Sequence, residues 1–147
     1  FCLNCSDEFP QQLRVSGGVK GMDIEDGDEI ITATQIKKNA DYEIVVATSF
    51  GTFKKVDLGT IARTARARKG VRLVDVGIDG TECVKLAEPK EESASLTLLI
   101  EDDGGNIMHA LSEELANESR TTKGKPIAKL GIFKTALVYP FRLPEGK

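Results

Sequence analysis

The sequence has no apolar run long enough to cross a membrane as a helix, and no basic start followed by an apolar stretch that would mark a secretory leader. Histidine occurs once, at His109, and tyrosine twice, at Tyr42 and Tyr139. No Ser-His-Asp set, phosphate loop or pair of carboxylates on a helix can be assembled from what remains. Catalysis by this chain alone is therefore not expected, and no cofactor is implied. No long amphipathic helix is visible. Cysteine occurs three times, an odd count that fits a reducing cytoplasm better than a disulfide framework. Hydrophobic residues make up 40% of the 147, enough for a modest core.

What the chain does have is a repeat. The segment 53–76 lies over 1–24 without a gap at a shift of 52 residues. Phe53 then meets Phe1, Arg66 meets Arg14, Gly70 meets Gly18, Val71 meets Val19 and Asp75 meets Asp23. A shift of 54 adds a third copy, in which Arg120, Lys123 and Gly124 fall on Arg66, Lys69 and Gly70. Upstream, Leu98, Ile100, Gly105 and Ile107 fall on Ile44, Val46, Gly51 and Phe53. A period in this range means stacked or radial supersecondary units.

Each copy reads as four short strands. In the second copy these are 43–49, 53–56, 71–76 and 82–86; in the third they are 95–101, 107–111, 125–130 and 135–141. The first copy supplies 19–24 and 29–35. Glycine turns join the first two strands of a copy, and loops 36–42 and 87–94 read as exposed hairpin tips. A helical turn is expected within 112–117, with Ser112 as its cap. The fold class is all-β, a propeller-like array of four-stranded blades of about 52–54 residues. The expected division is 1–42, the end of one blade and start of the next; 43–94, a central blade; and 95–147, a third, incomplete one. Both ends read as cuts through a larger ring, and a first residue of Phe is in keeping with a fragment.

Net charge is −3, but the charge is segregated. Residues 53–72 carry seven bases against Asp57 alone, and 120–147 carry seven against Glu145 alone. The intervening 73–119 carries twelve acids against Lys85 and Lys90. Segregation of this kind says more about partners than the total does.

At the recurring Arg-x-x-Lys-Gly element the chain resembles a known family. The residues that carry the resemblance are Arg63-Thr-Ala-Arg-Ala-Arg-Lys-Gly-Val-Arg-Leu73, together with Gly27-Asp-Glu-Ile-Ile31, Gly17-Gly-Val-Lys-Gly21 and Lys123-Gly124. It is similar to the C-terminal domain of the A subunit of bacterial type IIA topoisomerases, gyrase or topoisomerase IV. The resemblance covers essentially the whole chain, as three partial copies of one blade. It implies a β-pinwheel, a ring of blades that exchange strands, which binds and bends duplex DNA around a positively charged rim. The gyrase hallmark heptad is Gln-Arg-Arg-Gly-Gly-Lys-Gly. Here the aligned heptads are Gln12–Gly18, Thr64–Gly70 and Glu118–Gly124; each keeps the third-position Arg and the final Gly, and none keeps the whole box. Gyrase and topoisomerase IV both stay open.

The resemblance implies a non-catalytic, DNA-wrapping module of an ATP-dependent enzyme that is cytoplasmic and nucleoid-associated. The implied partners are double-stranded DNA, the remainder of the A subunit and its ATPase partner subunit, with no membrane. The candidate DNA contacts are Arg14, Lys20, Lys54, Lys55, Arg63, Arg66, Arg68, Lys69, Arg72, Arg120, Lys123 and Lys125. Lys and Arg on a structured surface bind phosphates because counterions are released from the duplex. The bland alternative for each is a solvated basic loop.

Other motifs read as structural. Cys2-Leu-Asn-Cys5 is half of a zinc pattern, but no second pair exists, and Cys83 and His109 belong to other copies. The acidic run 101–103 reads as a hairpin tip without calcium-loop spacing. Two rival functions stay open: a protein-interaction propeller that docks through its charged faces, and an enzyme with a site at the ring centre, for which no residues can be named.

Overall fold

The computed structural model describes residue 2 and residues 6–37, 42–77, 84–91 and 95–141. Two apolar, β-branched runs at equivalent places in the repeat build its framework. Tyr42–Thr48 (β1) is the middle strand of one sheet, flanked antiparallel by Phe53–Asp57 (β2) and Val84–Glu91 (β3). Thr97–Asp102 (β4) is the middle strand of a second sheet, flanked the same way by Ile107–Leu111 (β5) and Thr135–Phe141 (β6). The protein is all-β, with no α-helix among the described residues.

The repeat is reproduced bond by bond. Thr48 N–H donates to Thr52 O at 2.9 Å and Gly51 N–H to Thr48 O at 3.2 Å. In the next copy Asp102 N–H donates to Asn106 O at 3.0 Å and Gly105 N–H to Asp102 O at 3.1 Å. Both turns close on a glycine at positive φ, +73° at Gly51 and +82° at Gly105, where a side chain would be strained. β1 and β4 each carry a register shift at the same place, between Ala47 and Thr48 and between Glu101 and Asp102. A short 3-10 turn follows β2 at Leu58–Thr60 and β5 at Ser112–Glu114.

Burial shows how the sheets stack. Every residue from Ile44 to Thr48 is at most 1% exposed, so β1 is covered on both faces. Ile44, Val46 and Val56 pack on Leu58, Ile61, Leu73 and Val74 of their own copy. Val45, Ala47 and Phe53 pack on Leu98, Ile100, Ala110, Leu115 and Ile127 of the next. Complete burial of a Val or Ile side chain stabilises by about 1.5–3 kcal/mol, so this contact binds one copy firmly to the next. In β4 burial alternates: Leu98 and Ile100 are 0% exposed, while Leu99 between them is 37%.

Several expected strands are not strands. Segments 71–76 and 125–130 form no ladder, although Leu73, Val74 and Ile127 are buried. Their backbone instead makes isolated bonds to neighbours, such as the reciprocal pair between Phe53 and Lys125 at 2.9 and 3.0 Å. Segment 19–24 makes a single parallel bridge, Met22 to Arg68. Segment 29–35 is exposed and unpaired among the described residues, with Ile30 at 58% and Ile31 at 48%. Its counterparts β3 and β6 pair with β1 and β4. The expected tip at 87–94 is partly strand, because β3 runs on to Glu91 with Pro89 in an edge position. Residues 38–41, 78–83 and 92–94 lie outside the described residues. Ser112 does not cap its turn: it lies inside it, and its buried hydroxyl accepts from Leu96 N–H at 2.9 Å.

Candidate nucleic-acid interface

The basic heptad of each later copy forms a loop that crosses onto the copy before it. At the second junction, loop 116–125 runs along β2. Lys55 N–H donates to Ala116 O at 2.9 Å, Glu118 N–H to Lys55 O at 2.9 Å, and Thr52 Oγ1 to Lys123 O at 2.9 Å. At the first junction, Ala67 N–H donates to Gly21 O at 2.7 Å and Asp23 N–H to Arg68 O at 3.0 Å. This last bond recurs at the second junction as Asp75 N–H to Thr122 O, also 3.0 Å.

The recurring Arg has a structural reason. Arg66 Nη1 donates to Lys20 O at 3.4 Å, and Arg120 Nη1 donates to Arg72 O at 3.3 Å. Each bracket joins a heptad to the start of the extended segment in the preceding copy. The recurring Gly has one too: φ is +81° at Gly18 and Gly70 and +82° at Gly124. At Gly124 an added Cβ would also meet Phe53 O at 2.9 Å. Ala67, at the fourth heptad position, is itself at φ +59°, the conformation that the Gly of the hallmark box adopts freely.

These brackets gather the expected cations by junction. Lys20, Arg66, Arg68 and Lys69 belong to the first, and Arg72, Arg120, Lys123 and Lys125 to the second. Arg66 and Arg120 are half-buried by their brackets, and the other six are exposed. Arg63 is exposed as well, and Arg14 is exposed with no hydrogen bond or ion pair among the described residues.

Two expected contacts leave the set. Lys54 is 0% exposed, and its ammonium donates to Ser119 O and Thr122 O at 2.8 Å each. Lys55 is 9% exposed and pairs with Glu43 at 3.3 Å. Both lie in β2 under the loop of the next copy, so neither can reach a phosphate. Their basic side chains looked alike in sequence to those of the loop, and only the stacking of the copies separates them.

Acids that the sequence did not single out lie against the first loop. Glu8 Oε2 accepts from Arg66 N–H at 2.6 Å, and Glu25 pairs with Lys69 at 2.7 Å. Asp23 pairs with Lys20, whose hydrogen bond and charge hold the Asp23 carboxyl below the usual carboxylate range, with Lys69 helping. The bond and charge of Glu25 raise Lys69 above the usual lysine value. The second loop has only Glu118, 3.9 Å from Lys125, among the described residues. Asp23 recurs as Asp75, but Glu25 and Glu118 have no acid at the equivalent place in another copy, so the repeat gave no signal for them.

No group of three or more His, Cys, Asp or Glu side chains that could hold a metal is present among the described residues. Cys2 donates through Sγ to Arg68 O at 3.3 Å, while Cys5 lies outside the described residues. His109 and Tyr139 are exposed on β5 and β6, and both lie opposite Leu99.

The family model of the DNA gyrase C-terminal domain, beta-propeller, matches residues 6–37 and 42–86, just over half of the chain. The chain belongs to the gyrase C-terminal domain family. Its fold is therefore the beta-propeller of that family, seen in two three-stranded sheets and the junction loops between copies. The fold is also that of the crystal structure of the C-terminal domain of DNA topoisomerase IV, with a TM-score of 0.70 and 23% sequence identity. That likeness covers 85% of this chain and 38% of the other, so the present member of the gyrase C-terminal family spans well under half of the solved domain. No curated protein matches the chain.

Proposed function

We propose that this chain is a non-catalytic module of a type IIA topoisomerase A subunit that binds duplex DNA and bends it along successive junction loops. One observation carries the reading. Two equivalent loops, bracketed by Arg66 and Arg120 onto the preceding copy, present exposed cations at the same structural place. Family membership supports it. A loop fixed by backbone bonds holds Lys and Arg in place before the duplex arrives, and phosphate contacts then fix position without reading sequence. Bending 20–30 base pairs by tens of degrees costs roughly 1–6 kcal/mol, which added phosphate contacts from a second loop offset. The DNA, the rest of the A subunit and its ATPase partner are the partners this reading assigns.

The units of this reading are 1–42, 43–94 and 95–147, within a larger ring. The outer face of the second sheet supports continuation of the stack. Leu99, Ile107, Leu111, Leu137 and Tyr139 share that face and are 37–64% exposed. Val45 and Ala47 occupy the equivalent face of β1 and are 0% exposed, because the next copy covers them.

The test is fluorescence anisotropy of a labelled duplex of ~40 base pairs at several salt concentrations. The expected result is a log affinity that falls linearly with log salt, with a slope of about −4 or steeper. Absence of binding at low salt sinks the reading.

A further inference from the structure

We propose that Lys54 is a positioning residue for the basic loop of the next copy: its buried ammonium holds the 119–122 turn in the shape that presents Arg120 and Lys123 to a phosphate backbone. This deepens the reading above and rests on it.

Lys54 Nζ donates to Ser119 O at 2.8 Å, Thr122 O at 2.8 Å and Thr122 Oγ1 at 3.4 Å. The three protons of the ammonium thus have three oxygens, all from one turn that encloses Arg120. Glu118, which starts the loop, closes it from the other side, its Oε2 accepting from Thr122 Oγ1 at 2.5 Å. Burial pulls the Lys54 ammonium below the usual lysine value, and the Glu118 and Asp75 carboxylates oppose that pull. A buried ammonium is unfavourable unless its protons are fully engaged. Here the turn supplies what the charge needs, and the charge in return fixes the turn.

The same register holds a different donor at the other junction. Lys54 aligns with Cys2 in the first copy and with Met108 in the third. Cys2 Sγ donates to Arg68 O at 3.3 Å, and Arg68 O is the counterpart of Thr122 O. One position thus addresses one carbonyl at both junctions, with three donors from an ammonium at the second and a single weak thiol donor at the first.

The experiment replaces Lys54 by Met in the whole chain, which fills the space and removes the donors. Backbone amide exchange is followed in 119–124 and in β1 and β4. Lys54→Met is expected to speed loop exchange at least about tenfold while β1 and β4 keep their protection. Affinity for the ~40-base-pair duplex at low salt is expected to fall about three- to tenfold, and the loss is expected to vanish when Arg120→Gln and Lys123→Gln are already present. Unchanged loop exchange overturns the proposal, and so does an affinity loss of equal size in the neutralised background. Should β1 and β4 also lose protection, Glu118→Gln decides: faster exchange confined to 119–124 upholds the proposal, and unchanged exchange there overturns it. If the unsubstituted chain binds no duplex, the DNA reading fails by itself, and the exchange arm still reports whether Lys54 shapes the loop.

Discussion

The two junctions of this molecule have the same bracket and the same carbonyl contact, yet they differ in what surrounds them. At the first, a thiol holds the loop, Glu8 accepts from the backbone N–H of Arg66, and two acids of the first copy pair with cations, Glu25 with Lys69 and Asp23 with Lys20. At the second, a buried ammonium holds the loop, β2 runs beside it, and Glu118 is the one acid paired with it among the described residues. Geometry and charge are thus set by different residues. The repeated Arg and Gly make the loop, and the acids around it decide how strongly its cations are already engaged. A family heptad is for this reason a better guide to backbone than to binding strength.

The largest effect should come from testing how tightly the second loop is seated. Gly124→Ala faces both a φ of +82° and a Cβ 2.9 Å from Phe53 O, whereas Gly18→Ala faces φ +81° with nothing within 4 Å. The left-handed conformation alone costs about 1–2 kcal/mol. Urea unfolding is expected to show a loss of about 1 kcal/mol for Gly18→Ala and about 3–4 kcal/mol for Gly124→Ala. Equal losses would mean that the approach of β2 to the loop is not tight in solution.

Lys55 comes next. Its side chain is 11% exposed and that of Glu43 15%, so removing the cation leaves a carboxylate with little water. Lys55→Ala is expected to lower unfolding stability by about 2–4 kcal/mol. A Lys55→Ala chain of full stability and weakened DNA affinity would return this residue to the proposed DNA contacts.

The sequence was legible where a residue repeats and opaque where its role depends on a neighbouring copy. The apolar runs that became β1, β2, β4 and β5 showed in their β-branched content and glycine turns. The segments 71–76 and 125–130 look equally strand-like, because buried Leu73, Val74 and Ile127 satisfy the same pattern. Only the location of their hydrogen-bond partners distinguishes them. Arg66 and Arg120 were visible as recurring cations, but that each anchors a guanidinium to the copy before it was not. Lys54 is the clearest instance: one lysine beside another in sequence, it is buried because loop 118–124 comes back over it from the next copy. Segregated charge marked the loops well and said nothing of Glu8 or Glu25, which are distant from them in sequence.

Charge reversal compares the loops in function. Lys123 is exposed with no ion pair among the described residues, while Lys69 already holds Glu25 across a pair with side chains 66% and 73% exposed. Water screens an exposed pair of that kind, so a phosphate competes with it but gains less than at a cation without a partner. Lys123→Glu is expected to weaken duplex binding about tenfold at low salt and to lower the salt slope by about 1. Lys69→Glu is expected to weaken it about threefold. The reverse order in anisotropy titrations would mean that Glu25 leaves Lys69 when DNA arrives.

The smallest effect is one of pH, and it concerns the first junction. Lys20 holds the folded-state carboxyl of Asp23 below its ordinary value, with Lys69 helping. A carboxyl depressed by folding stabilises the fold fully above its unfolded value near 3.8, and the contribution disappears as pH falls through the lower folded value. The contact is exposed, so the whole protein should scarcely register its loss, but the first loop should. Amide signals of Asp23 and Arg68 are expected to shift together at a pH below the ordinary 3.8 of Asp23, and Lys20→Gln is expected to move that shift to higher pH. A midpoint that Lys20→Gln leaves unchanged would mean that Lys20 does not hold the Asp23 carboxyl, and the first loop would lose part of what distinguishes it from the second.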